Sequence, residues 1–211
     1  MALYSRNHDY AFINIPGNAA GPVMELLIDL ERRFQGAAGA PAPGTPVPGV
    51  GAYFHHNAEP AMLRRADTPC LVLWANPLLR LVRGWQFMRA NKHPFTLDDA
   101  GRELSLLAFV DKLAATPDAQ RPDSVRSQCH AAGPWRAHLH EIGVLEQSEH
   151  YLRRCVFNVF GLKVETAKML GGFAKLNFEG CADQITLDLA AMVHALYRED
   201  FAVLEAARRA A

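Results

Sequence analysis

The chain has 211 residues, of which half are hydrophobic and 21% are charged, a composition that suits one globular domain with a core of ordinary size. Lys plus Arg and Asp plus Glu number 22 each, so the charge balance favours neither nucleic acid nor an anionic membrane as a partner. With no export signal, no apolar run of about 18 residues and four widely spaced cysteines, we expect a single domain over residues 1–211 in the cytoplasm.

The first predicted element is a short apolar strand over residues 12–15, which breaks at Pro16 into a loop of small residues. A helix follows over residues 23–34, where apolar side chains recur at three- and four-residue spacing, with Pro22 in its first turn and Gly36 at its end. Such an arrangement directs backbone N–H groups and a helix N-terminus toward one point and is typical of phosphate-binding loops. No Lys, Ser or Thr is present in this loop, so neither a Walker nor a GxGxxG pattern is formed.

Residues 36–50 mix Pro, Gly and Ala so heavily that they predict a flexible loop within the domain. A second buried strand is predicted at residues 70–74, and it again breaks, at Asn76 and Pro77, before a helix over residues 78–90. Thr96 and Asp99 have the spacing of a capping box, which predicts a helix from there toward Leu113.

The second half of the chain continues the alternation of strands and helices. We predict a loop over residues 116–134, a strand at 142–144, a helix at 148–160 closed by Gly161, and a last helix at 186–207. The apolar face of that last helix could pair with a second copy of the chain, so a homodimer is one expectation. The order of elements predicts an α/β fold, a small parallel sheet flanked by helices, with a ligand site beyond the strand ends.

Two segments carry a resemblance to a known family. The first consists of Phe12, Ile15 and Pro16 with the loop that follows, and the second is Trp74-Ala75-Asn76-Pro77-x-x-Arg80-Leu81-Val82-x-Gly84-Trp85. They resemble the two nucleotide-binding motifs of the sulfotransferase superfamily, above all its carbohydrate-type branch. Three later segments are similar too: Arg126-Ser127-Gln128-Cys129, residues 140–146, and Tyr197-x-x-Asp200-Phe201. The resemblance implies a P-loop-like sulfotransferase fold and transfer of a sulfonate from phosphoadenylyl sulfate to the hydroxyl of a small-molecule acceptor.

The resemblance also implies roles for individual residues. The first motif would hold the 5′-phosphosulfate through Gly17, Asn18, Ala19, Ala20 and Gly21, and the second would meet the 3′ side through Asn76, Arg80 and Arg83. His56, rather than its neighbour His55, would be the general base for the acceptor hydroxyl. Several positions depart from the family. Gly17 stands where it has lysine and Ala75 where it has arginine, and Asn18, the Gly21-Pro22 pair and Arg83 stand where it has hydroxyl residues.

Other polar residues leave alternatives open. Arg126, Gln128 and His130 alternate, so one extended face could present them to a substrate together with His55, although a solvated loop explains the pattern equally well. Glu146 and Glu149 could form a catalytic pair or complement a helix dipole. His130, His138 and His140 lie close in sequence, but no metal site is predicted, because a spacing of two residues faces opposite ways on a helix and neither a cysteine pair nor carboxylates complete a ligand set.

These patterns leave three functional hypotheses. The leading one is a sulfotransferase-like enzyme that uses phosphoadenylyl sulfate. The second is a divergent enzyme on the same fold that does not use the sulfate donor, and the third is a non-catalytic binding or scaffold protein of that fold.

Overall fold

A mixed sheet organises the computed structural model, which describes residues 2–18, 20–36, 50–164 and 181–210. Its five strands are β1 (Ala2–Ser5), β2 (Ala11–Ile13), β3 (Phe54–His56), β4 (Cys70–Trp74) and β5 (Gly143–Val144), in the order β3-β1-β2-β4-β5. The prediction of a parallel sheet is confirmed for β2, β4 and β5. It is wrong for β1, which lies antiparallel to β2, because a short hairpin connects the two, and antiparallel to β3 as well.

The helices lie on both faces of this sheet. In the described residues they are α1 (Ala20–Gly36), α2 (Val50–Tyr53), α3 (Pro77–Ala90), α4 (Leu106–Ala115), α5 (Gln128–Ala132), α6 (Ser148–Phe160), α7 (Leu187–Leu196) and α8 (Arg198–Ala210). None of these helices is long and apolar enough to span a membrane. Most of the predicted flexible loop, residues 37–49, falls outside the described residues.

Alternate residues of the strands point to two separate cores. On one face, Leu3, Phe12 and Leu71 pack against α1 and α6. On the other face, Val72 and Trp74 pack against α5 and α8. A third core joins α3, α4 and α7 beside the sheet. The carboxyl ends of β2, β4 and β5 therefore open at one edge between these layers.

The predicted capping box at Thr96 is wrong, since α4 begins only at Leu106. Its cap is Ser105, whose Oγ accepts from the N–H of Ala108 at 3.3 Å. The carboxylate of Asp98 instead accepts from the N–H groups of Ala100 and Arg102 in a local turn. A short polar side chain that bonds its own turn in this way competes with helix formation.

Two further boundaries differ from the sequence predictions. The predicted loop 116–134 contains the short helix α5, which is capped by Ser127. The predicted last helix is two helices, because Tyr197 leaves the helical conformation between α7 and α8. Its buried hydroxyl donates to the carbonyl oxygen of Val125. The end of α6 is confirmed, since Gly161 adopts a left-handed conformation with φ of 68°.

Candidate functional site at the carboxyl ends of the parallel strands

The loop that the sequence compares to a phosphate cradle begins as a tight turn after β2. The N–H of Asn18 donates to the carbonyl oxygen of Ile15 at 3.1 Å, and Gly17 has a φ of +88°. Proline in the second position and a positive φ in the third are the signature of a type II turn, which glycine adopts without strain. Ala19 lies outside the described residues, and Ala20 and Gly21 open α1. The chain thus passes from strand through turn to helix, the local structure that the sequence predicts.

Arg80, from α3, holds this turn against the segment of residues 123–126. Its side chain is buried, and its Nε and Nη2 donate to the carbonyl oxygen of Pro16 at 3.1 and 2.9 Å. Nη2 also donates to the carbonyl oxygen of Asp123 at 2.9 Å, and Nη1 to that of Arg126 at 2.6 Å. Burial lowers the pKa of this guanidinium. These four bonds leave one of the five N–H groups for the 3′-phosphate contact expected from the resemblance.

Asn18 and Gln128 join the turn to the end of β4. The Nδ2 of Asn18 donates to the carbonyl oxygen of Leu73 at 2.8 Å and to the Oε1 of Gln128 at 2.6 Å. Gln128 also bonds both backbone groups of Ala75, at 3.0 and 2.9 Å. Both side chains are buried, so Gln128 supports the site from inside the protein. Among the described residues nothing donates to the buried Oδ1 of Asn18, which remains as an acceptor beside the turn.

Asp200 fixes the position of Gln128 by binding the start of α5. Its carboxylate, 1% exposed, accepts from the Oγ of Ser127 at 2.9 Å and from the N–H groups of Gln128 and Cys129 at 2.7 and 2.8 Å. Burial and the neighbouring Asp200 raise the pKa of the Cys129 thiol to about 12. The thiol therefore stays protonated near neutral pH and does not supply a nucleophile.

Three polar residues lie within two positions of the ends of the three parallel strands: Asn14 after β2, Asn76 after β4 and Glu146 after β5. The Oε1 of Glu146 accepts from the N–H of Asn76 at 3.0 Å, and the Oδ1 of Asn76 caps α3 by accepting from Leu78. Within the described part of the chain, the buried Oε2 of Glu146 has no hydrogen-bond partner. This edge is where ligands bind in open α/β sheets.

Arg83 places a half-buried cation at this edge. Burial lowers the pKa of its guanidinium, and the charge of Glu146 opposes that shift. The two side chains are therefore close enough to interact electrostatically. An anionic ligand that reaches Arg83 also meets the negative charge of Glu146, so the site is less positive than one built from arginine alone.

His55 and His56 lie on opposite faces of the sheet. His55 pairs with Tyr4 across β1 and β3 and stacks on its ring, with centroids 6.4 Å apart. His56 pairs with Leu3 and shares the face on which α1 packs, two strands away from β2. Its exposed ring lies beside Gly51. No hydrogen bond joins His56 to the 15–18 turn among the described residues, and its role as a base stays a prediction.

Arg126 and His130 point away from this edge. Arg126 folds back on its own segment and donates to the carbonyl oxygens of Ala119 and Arg121 at 3.1 and 3.0 Å. His130 lies in α5 with its Nδ1 3.3 Å from the Oδ2 of Asp118. The expected extended face is therefore wrong, because a helix begins at Gln128 and turns alternate residues apart.

Two carboxylates near the site have structural roles that the sequence does not predict. Asp200 and Asp118 bind the backbone around Ser127, and the only local signal for them is that Ser127 is a good helix cap. Glu146 bonds the loop after β4, whereas Glu149 lies in the first turn of α6 as helix-dipole complementation predicts. In the described residues no group of three His, Cys, Asp or Glu side chains is arranged to hold a metal ion.

Comparison of the chain with protein-family models, with curated proteins and with solved structures found no match. The chemistry of the site therefore rests on its own groups. It offers donors from the turn, from the Nδ2 of Asn76 and from Arg83, and acceptors from Asn18 and Glu146. Such a set can bind a ligand that combines an anionic group with hydroxyl or amino groups.

Proposed function

We propose that the protein is sulfotransferase-like and binds phosphoadenylyl sulfate at the carboxyl ends of β2, β4 and β5. The observation that carries this proposal is the adjacency of β2 and β4, which run parallel and both end at this edge. The turn at residues 15–18 follows one strand, and the Asn76-capped helix with Arg83 follows the other. The two segments that resemble the family's nucleotide-binding motifs are thus neighbours in space.

In this proposal each group has a separate task. The backbone N–H groups of Gly17, Ala20 and Gly21 bind the 5′-phosphosulfate, since that of Asn18 is donated to Ile15. Asn76 and Arg83 bind the 3′-phosphate. Arg80 keeps the turn in place. His56 accepts the proton of the acceptor hydroxyl as its oxygen bonds to sulfur and the bond from sulfur to the phosphate oxygen breaks.

A second candidate is a ligand-binding protein or enzyme of the same fold that does not use the sulfate donor. Gly17 favours it, because the left-handed conformation at this position disfavours a lysine there, and lysine would stabilise the leaving oxygen. The carboxylate of Glu146 beside Arg83 favours it as well, since it repels a dianionic phosphate.

Calorimetric titration with adenosine 3′,5′-bisphosphate distinguishes the two candidates. The first predicts saturable binding that Arg83→Gln weakens about tenfold or more, because a charge-assisted hydrogen bond is lost. Arg89→Gln is the matched control, since Arg89 lies on the same helix but pairs with Glu103. Absence of binding at millimolar nucleotide contradicts the first candidate, and so does binding that Arg83→Gln leaves unchanged.

A further inference from the structure

A cavity of about 530 Å³ lies between α5 and the junction of α7 with α8. Residues 121–127 separate it from the 15–18 turn. Asp123 and Arg126 direct their carbonyl oxygens to Arg80, whereas Arg121 and Ser127 line the cavity. Its volume is within the range of small-molecule sites, and it is distinct from the site at the strand ends.

The charged side chains of this cavity leave a surplus of positive charge. Arg121 pairs with Asp118 at 2.9 Å, and Arg136 pairs with Glu199 at 3.1 Å. Arg198 also lines the cavity and is exposed, and it has neither an ion pair nor a hydrogen bond within the described ranges. One arginine thus remains available to an anionic group that enters from solvent.

His130 adds an oriented acceptor. The carboxylate of Asp118 lies 3.3 Å from its Nδ1 and is itself fixed by Arg121 and by the N–H of Ser127. In the neutral tautomer whose Nδ1 proton points at Asp118, the ring presents Nε2 as an acceptor. In the described chain no residue bonds that Nε2, and the ring is 46% exposed where it lines the cavity.

We propose that this cavity binds a small hydroxylated anion, such as a polyol phosphate or a hydroxy acid. Arg198 holds the anionic group, with Arg136 at its side, and a hydroxyl of the same molecule donates to the Nε2 of His130. Asp118 is a positioning residue for His130. Because residues 121–127 also face the turn at residues 15–18, a ligand here contacts the segment that supports the other site.

Two pairs of probes test the proposal on the full chain by calorimetry. Glycerol 3-phosphate is compared with propyl phosphate, and citrate with tricarballylate, which lacks only the hydroxyl of citrate. Saturable binding is expected for at least one hydroxylated member, about two- to tenfold tighter than for its analogue, the range of one hydrogen bond. The pair that responds tells whether a phosphate or a carboxylate is preferred.

Variants assign the binding to this cavity. Arg198→Gln should weaken it about tenfold, whereas Arg208→Gln, at an exposed arginine of the same helix, should leave it unchanged. His130→Phe should abolish the preference for the hydroxylated member. The proposal is overturned if no probe binds at about ten millimolar, if Arg198→Gln has no effect, or if the hydroxyl preference persists in His130→Phe.

Discussion

The carbonyl oxygen of Pro16 accepts two hydrogen bonds from the guanidinium of Arg80, at 3.1 and 2.9 Å. The same guanidinium binds the carbonyl oxygens of Asp123 and Arg126. One buried cation therefore ties the turn after β2 to α3 and to the segment that leads into α5. Arg80 therefore stabilises the candidate site, but it uses four of its five N–H groups on backbone carbonyl oxygens rather than on a ligand.

Replacement of Arg80 by lysine should lower the free energy of unfolding by about 2–4 kcal/mol, because an ammonium cannot reproduce the planar fork and leaves buried carbonyl oxygens without donors. Denaturant unfolding measures the change. Arg89→Lys is the control on the same helix, where the partner Glu103 is exposed and a loss below about 1 kcal/mol is expected. Equal effects of the two substitutions would contradict the role given to Arg80.

The turn itself can be tested at Gly17, whose φ is +88°. Gly17→Ala should lower the free energy of unfolding by about 1–2 kcal/mol, since an alanine side chain is strained in this conformation. Gly17→Asn should cost less, because asparagine tolerates a positive φ better. Lack of space is not the cause of this loss of stability, since an added Cβ would meet its nearest neighbour, the carbonyl oxygen of Ser124, at 3.5 Å. A cost that rises with side-chain volume instead would refute the conformational explanation.

Local signals in the sequence predict much of this fold. The apolar run 70–74, the break at Asn76 and Pro77 before a helix, and the stop at Gly161 each act through neighbouring residues, and all three appear in the structure. The strands β1 and β3 have four and three residues and are not predicted, since neither leads into a long helix that would mark its end, as the equally short β2 and β5 do. Tyr197 interrupts the last helix, where its hydroxyl bonds a residue 72 positions away, and no local pattern encodes that contact.

The candidate site is less predictable for the same reason. Pro16 and Gly17 are sufficient to predict a turn from the sequence. The sequence shows that Arg80 is present but not that three backbone carbonyls surround it, because all three belong to residues more than 40 positions away. In the sequence, Gln128 likewise resembles a polar loop residue. Only its burial and its hydrogen bond with Asn18 show that it supports the turn.

A third prediction concerns Gly143 on the edge strand β5. The ring of Tyr151 covers this residue, and a Cβ built there would lie 2.2 Å from the ring. The hydroxyl of that ring accepts from the N–H of Val72 at 3.2 Å, so the ring cannot move without loss of this bond. Gly143→Ala should therefore lower the free energy of unfolding by about 2–3 kcal/mol.

Gly21→Ala is the matched control for Gly143→Ala, since nothing lies within 4 Å of an added Cβ in the first turn of α1. It should leave the free energy of unfolding unchanged or raise it by up to about 1 kcal/mol. Denaturant unfolding of both variants makes the comparison. If they behave alike, the contact between Tyr151 and Gly143 does not determine the stability of this edge.

A fourth prediction concerns the acid stability that Asp9 contributes. Burial acts to raise the pKa of this carboxyl, but hydrogen bonds from Tyr4, Thr68 and Arg65 outweigh it and lower the pKa below its usual value. A lowered pKa in the folded state stabilises the protein above the unfolded-state pKa, and this contribution is lost as the pH falls below about 4. Asp9→Asn should destabilise the protein at pH 7, and the difference from the native chain should shrink in acid.

Urea unfolding at a series of pH values tests the role of Asp9. Asp67→Asn is the control, because Asp67 also lies near Arg65 but is 80% exposed. Its free energy of unfolding should differ little from that of the native chain at any pH. A difference between Asp9→Asn and the native chain that grows in acid would contradict the assigned sign.

The last prediction concerns Glu146, whose carboxylate accepts from the N–H of Asn76 and interacts electrostatically with Arg83. Glu146→Gln keeps an oxygen that can accept from the N–H of Asn76 but removes the negative charge beside Arg83. If the site binds adenosine 3′,5′-bisphosphate, its affinity should rise about tenfold, because a repulsive charge is removed at short range in a partly buried setting. Glu146→Ala removes both the charge and the hydrogen bond, so it should gain less. Calorimetry on the three proteins gives the order, and weaker binding by Glu146→Gln would mean that the carboxylate itself holds the ligand, through its hydroxyl or amino groups.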